Sequence, residues 1–132
     1  MKGTEKQVKW AEDIKVRYEK TVETLKEIVA IYSDTTQKDI VDHDPIFGDS
    51  TQTVYVRKVN MTNHQAAIAS ASHWKPEKEA GKEYNWIENR SKDIGGEHAE
   101  RLARRDFYAA TLGNLEKALA EEDSASYWID RR

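Results

Sequence analysis

Apolar positions recur along residues 4–33 as Val8, Ala11, Ile14, Tyr18, Val22, Leu25, Ile28 with Val29, and Tyr32. Ala11, Tyr18, Leu25 and Tyr32 are seven apart, and Ile14 and Ile28 take the position that completes a heptad. This spacing predicts a long amphipathic helix close to the coiled-coil period. Thr4 followed by Gln7 predicts its start, a capping box with Glu5 favourable in the first turn. No Gly or Pro interrupts residues 4–33, so the helix would run ~40 Å at 1.5 Å per residue. Lys6, Lys9, Glu12, Asp13, Lys20, Glu23 and Glu27 alternate in sign, as expected of a solvated face.

The pattern then breaks. Residues 33–52 contain Asp44-Pro45 and Gly48-Asp49 and read as an irregular crossing, with a turn of helix near residues 39–41. Residues 53–59 (Thr-Val-Tyr-Val-Arg-Lys-Val) are β-branched and aromatic and predict a strand, which needs a partner near Ile40-Val41 or from another chain. Thr62 or Asn63 can cap a helix through residues 66–72, which Lys75-Pro76 ends. Pro76 suits the first turn of a further helix over residues 77–90. Gly95-Gly96 is the strongest break in the chain. Beyond it, residues 97–120 read as a helix with Ala99, Leu102, Ala103, Phe107, Ala110, Leu112, Leu115 and Leu119 inward, and Gly113 offers a close helix crossing. Ser124 caps a last short turn carrying Trp128 and Ile129. The expected fold is one mainly α domain over residues 1–132. It is a helical bundle built on a long N-terminal helix, with a small β element near residues 53–60.

Two strings recur at different offsets, so they are not a solenoid period. Residues 70–74 (Ser-Ala-Ser-His-Trp) resemble residues 124–128 (Ser-Ala-Ser-Tyr-Trp). Residues 86–90 (Trp-Ile-Glu-Asn-Arg) resemble residues 128–132 (Trp-Ile-Asp-Arg-Arg). Each Trp-Ile pair either plugs a helix end or exposes a Trp and an Arg, the residue types enriched at binding hot spots. On that second reading Trp86, Arg90 and Trp128 are candidate binding residues.

Charge adds a local feature. The 21 basic and 24 acidic residues give a net charge of -3, without the basic bias of a general nucleic-acid binder. Between residues 33 and 53 there are five aspartates, Asp34, Asp39, Asp42, Asp44 and Asp49, against Lys38 alone. Such a segment is either a solvated loop or, through Asp39, Asp42 and Asp44, a surface for a basic partner. Arg101, Arg104 and Arg105 lie three and four apart and share a helix face, able to meet phosphate or an acidic partner, or to pair with Glu97, Glu100 and Asp106.

Signals for catalysis are sparse. With no cysteine there is no thiolate chemistry and no disulfide. The four histidines lack the spacing of a helical zinc site, and three consecutive ligands, Asp42-His43-Asp44, diverge unless the backbone turns sharply. No metal or cofactor is assigned. Glu97-His98 is the best acid–base pair by composition, and a small hydrolase using it is a third reading. No apolar run approaches the ~20 residues of a membrane span, and no signal peptide is evident. A soluble, cytoplasmic protein is expected.

The string over residues 4–14 (Thr-Glu-Lys-Gln-Val-Lys-Trp-Ala-Glu-Asp-Ile) and the string over residues 125–132 carry a resemblance. They are similar to the two ends of small uncharacterised proteins of bacterial prophages and mobile elements, which open with T-x-K-Q-x-x-W-A and close with W-I-D-x-R. The resemblance implies a setting, a bacterial host cell, and no catalytic residues. By analogy with small phage proteins it points to a non-catalytic binding protein acting on a host or phage protein, in its sharpest version an anti-CRISPR-like inhibitor of a host defence system. The alternative is a nucleic-acid-associated accessory protein using the Arg101, Arg104 and Arg105 face. The heptad-like stripe also suggests a homodimer. If the chain ends meet, Trp10, Trp86 and Trp128 could share one aromatic cluster.

Overall fold

In the computed structural model, which describes residues 1–76 and 83–132, the first helix, α1, spans Glu5–Ser33. The capping box forms as its sequence requires. The Thr4 hydroxyl accepts from the Gln7 N–H at 3.2 Å, and the Gln7 side chain accepts from the Thr4 N–H at 3.0 Å. The stripe of α1 is buried at Ala11, Ile14, Val22, Leu25, Ile28 and Ile31. It packs against α4 (Ala99–Glu121), α5 (Ala125–Ile129) and α2 (Met61–Trp74). The heptad-like face is therefore covered within the chain, and the sequence argument for a homodimer goes with it. Among the described residues, helix α3 (Glu83–Ile94) packs on α4 and on no other helix or strand.

The fold class is the expected one: mainly α, bundle-like, with one long N-terminal helix and a small sheet. The sheet lies earlier than expected. Residues 33–52 are not an irregular crossing with a helical turn. Strand β1 (Gln37–Asp44) pairs antiparallel with β2 (Gly48–Tyr55), setting Ile40 opposite Gln52 and Val41 opposite Thr51. Only residues 53–55 of the predicted strand belong to it. The Val56 N–H still donates to the Thr36 carbonyl at 2.9 Å, but the chain then leaves the ladder towards α2.

Other boundaries shift for local reasons. Asn60, rather than Thr62 or Asn63, caps α2, its side chain accepting from the Asn63 N–H at 2.8 Å. Lys75 ends α2 ahead of Pro76 as expected. The predicted helix over 77–90 begins outside the described residues, and its observed part runs on to Ile94. Gly95 and Gly96, at φ 66° and 87°, break the chain between α3 and α4. In α4, Tyr108, Thr111 and Ala118 are buried, whereas Leu102, Ala110, Leu112 and Leu119 are only partly so. Gly113 makes no close crossing: a Cβ there would meet nothing within 4 Å. Ser124 stands at the N-cap of α5, but its hydroxyl bonds to that of Ser126 at 2.8 Å instead of capping.

The two ends of the chain meet. The Lys2 N–H donates to the Asp123 carbonyl and the Ala125 N–H to the Lys2 carbonyl, each at 2.8 Å. Gly3, at φ 141°, passes so close to α5 that a Cβ on it would stand 2.9 Å from the Ala125 Cβ. Only glycine fits that crossing. Beneath it Trp128 is fully buried, its indole N–H directed to the Glu122 carbonyl at 3.3 Å. The cluster it joins is not the expected one. Tyr18, Trp74 and Tyr127 surround it, with ring centroids 4.6–6.1 Å apart. Trp74 donates to the Tyr127 hydroxyl at 3.2 Å. The recurring Ser-Ala-Ser strings thus bring their tryptophans together, 6.1 Å between centroids. Trp10 is instead 46% exposed with the Arg132 guanidinium over its ring, and Trp86 packs edge-on against Phe107.

Candidate protein-binding arm

The hairpin joins two strands by a turn that its sequence encodes. Asp44 opens it and its carboxylate accepts from the N–H groups of Ile46 and Phe47 at 2.7 and 2.9 Å. Pro45 follows, pre-set for the first bend, and Gly48 at φ 83° supplies the left-handed residue that returns the chain to the ladder. The bonds from Phe47 and Ile46 hold the Asp44 carboxyl below its ordinary value. The turn raises Ile46 and Phe47 to the tip, 82% and 89% exposed.

The strands pack on each other, and the Tyr55 side chain at their base is what reaches α4. Every residue from Lys38 to Thr53 is exposed. The ladder sorts the side chains onto two faces. Asp39 lies opposite Thr53 and accepts from its hydroxyl at 2.8 Å, and His43 lies opposite Asp49 at 2.7 Å. Lys38, Ile40, Asp42 and Asp44 occupy the other face. The aspartates therefore do not gather on one face, as a one-sided acidic mimic would require. They ring a projecting arm. Asp42 and Asp44 are turned away from His43, and among the described residues no group of three His, Asp or Glu could hold a metal ion.

Arg101 clasps the base of this arm. Its guanidinium donates to the carbonyls of Ile31 (2.6 Å), Asp34 (2.8 Å) and Arg57 (2.8 Å) and lies 4.1 Å from the centre of the Tyr55 ring. The first two carbonyls belong to the end of α1, which carries no basic residue of its own in its last turn. Arg101 supplies that missing cation from α4. It is buried, 9% exposed, so the expected face of three arginines is not a surface patch. The other two are paired. Arg104 meets Glu100 at 3.0 Å, and Arg105 meets Asp106 at 3.0 Å. Asp106 also accepts from Arg90 at 2.7 Å. Burial would raise the Asp106 carboxyl, but the two arginines hold it below its ordinary value.

Of the other sequence candidates, Trp128 lies in the core and offers no surface, and Trp86 is half-buried between α3, which carries it, and Phe107 of α4. His98 is drawn to the arm's base, its Nδ1 hydrogen-bonded to the Tyr55 hydroxyl at 2.9 Å, while Glu97 is exposed. Glu97, Glu100, Arg101, Arg104, Tyr32 and Tyr55 line an open depression of about 300 Å³ in which acids and bases offset each other. The sequence reading missed Ile46 and Phe47. Their signal was two adjacent large apolar residues between Pro45 and Gly48, where a turn would hold them away from any core.

No helix of the described residues is long and apolar enough to cross a membrane. A scan against protein families, a search of curated proteins and a search of solved structures each return no match.

Proposed function

We propose that this is a non-catalytic binding protein that occupies the surface of another protein with its β1–β2 arm. The exposed Ile46-Phe47 tip carries this reading. An isolated two-stranded hairpin is marginal in water, and two large apolar side chains at its end gain nothing from folding. A basic partner with an apolar recess would give both a use. Asp39, Asp42, Asp44 and Asp49 around the arm would steer the encounter, and Ile46 with Phe47 would anchor it. The resemblance of the chain's ends to prophage and mobile-element proteins supports a bacterial host cell as the setting, and an anti-CRISPR-like inhibitor of a host defence protein as the sharpest form. The nucleic-acid reading loses its support, because Arg101 is internal and Arg104 and Arg105 are paired.

A photo-reactive phenylalanine analogue tests this reading when placed at position 47 and, separately, at exposed Val16 on the bundle. In host lysate, one protein should crosslink through position 47 and not through position 16, and Asp42→Lys with Asp44→Lys should abolish the capture. Equal capture from both positions, or none from 47, would remove the arm as the binding element.

A further inference from the structure

A cleft of about 420 Å³ lies on the bundle between α1, α2 and the chain end, away from the arm. Arg17, Tyr18 and Thr21 of α1 form one wall, Ser70 and His73 of α2 the other, and Arg132 closes one end. Ala66, Ala69 and Ser72 complete the α2 side with small side chains, which leaves the space open.

No acidic side chain lines this cleft, in a chain whose acids outnumber its bases. Arg131 stands behind it. Its charge bears on both Tyr18 and His73, and its backbone carbonyl accepts from the Tyr18 hydroxyl. Among the described residues, Arg17, Arg131 and Arg132 make no salt bridge. The Arg131 Nε is buried without a hydrogen-bond partner. The depression beside Arg104 is different, since Glu97 and Glu100 lie within it. Arg17, His73 and Arg132 line the cleft and Arg131, stacked on the Tyr127 ring, adds its charge from behind, so positive charge collects there with no acidic side chain to offset it. An anion would do so.

We infer that this cleft is a binding site for a phosphoryl group carried by a small molecule. Guanidinium groups match the oxygens of a phosphoryl group two at a time, and a dianion answers several positive charges where a carboxylate answers one. The volume is that of a small-ligand pocket. Tyr18 and the alanine floor offer apolar contact to the body of the molecule. A polynucleotide backbone would call instead for an extended basic track, whereas Arg90, Arg104 and Arg105 are each paired with an acid.

The test uses the intact chain, with inorganic phosphate and phenyl phosphate as probes and amide chemical shifts as the readout. Saturable shifts confined to residues 17–21 and 66–73 and the chain end are expected, with phenyl phosphate binding tighter than phosphate. Arg17 is exposed and, among the described residues, its side chain makes no hydrogen bond or salt bridge, so Arg17→Gln should fold normally and weaken binding at least tenfold. Arg132→Gln should do the same independently. Shifts that rise linearly without saturating, or an affinity that neither substitution changes, would overturn the site. So would tighter, steeply salt-dependent binding of a single-stranded oligonucleotide lost in Arg17→Gln, which would assign the cleft to a nucleic-acid backbone.

Discussion

Residues 5–33 and residues 37–55 are neighbours in the chain and follow opposite rules. Helix α1 turns six apolar side chains inward and is covered by three other helices. The arm lifts Ile46 and Phe47 to its tip, and its strands meet the bundle at its base, through Tyr55. The bundle shows what the chain needs in order to fold. The arm shows what it keeps although folding does not need it. On the proposed function, stability and recognition are held in separate segments, joined at Arg101.

The largest effect should come from the bundle. Trp128→Ala removes the fully buried indole and should cost ~3 kcal/mol or more, whereas Phe47→Ser should leave the thermal melt within about 0.5 kcal/mol of the parent. If the two melts fell equally, the arm would be part of the core and the contrast would fail.

A smaller effect is expected at the junction. Arg101→Gln strips the carbonyls of Ile31, Asp34 and Arg57 of a charged donor and should cost about 2 kcal/mol. Amide exchange in residues 37–56 should quicken more than exchange in α1. Uniform quickening would make Arg101 an ordinary core residue rather than the clasp of the arm.

The smallest effect is confined to the turn. Asp44 has its folded pKa lowered, so the bonds it accepts contribute above the ordinary aspartate value, near 3.9, and are lost as pH falls through the lower folded value. The amide resonances of Ile46 and Phe47 should therefore move together with an inflection below about 3.9. An inflection at or above that value would mean that the carboxylate does not hold the tip.

The contrast between the two regions also explains what could be read from the residues alone. Helix α1 announces itself because burial imposes a period, and Thr4 and Gln7 mark its start. The plug at Trp128 was half legible: a Trp-Ile pair fits a helix end or an exposed hot spot equally well, and only the packing around Tyr18 and Trp74 decides for burial. The arm was not legible. Neither of its faces is buried, so residues 37–44 show no alternation of apolar and polar positions, and Ile40 and Val41 stand side by side. Pro45 and Gly48 were read as breaks when they were the two halves of one turn. The arginine triplet was misread for another reason. Helical spacing gives the direction in which Arg101 points but not what lies there, and the end of α1 is 67 to 70 residues away in sequence. The cleft had no sequence signal at all, since Arg17, His73 and Arg132 come from three distant stretches.

One consequence follows from a turn that is closed from within, by the Asp44 carboxylate on the Ile46 and Phe47 N–H groups. The loop between Asp44 and Gly48 is a socket: its three residues can be exchanged for others without the helices having to readjust. A scaffold with such a port can be retargeted by rewriting a few codons, and a library of grafted tips is the natural way to use it.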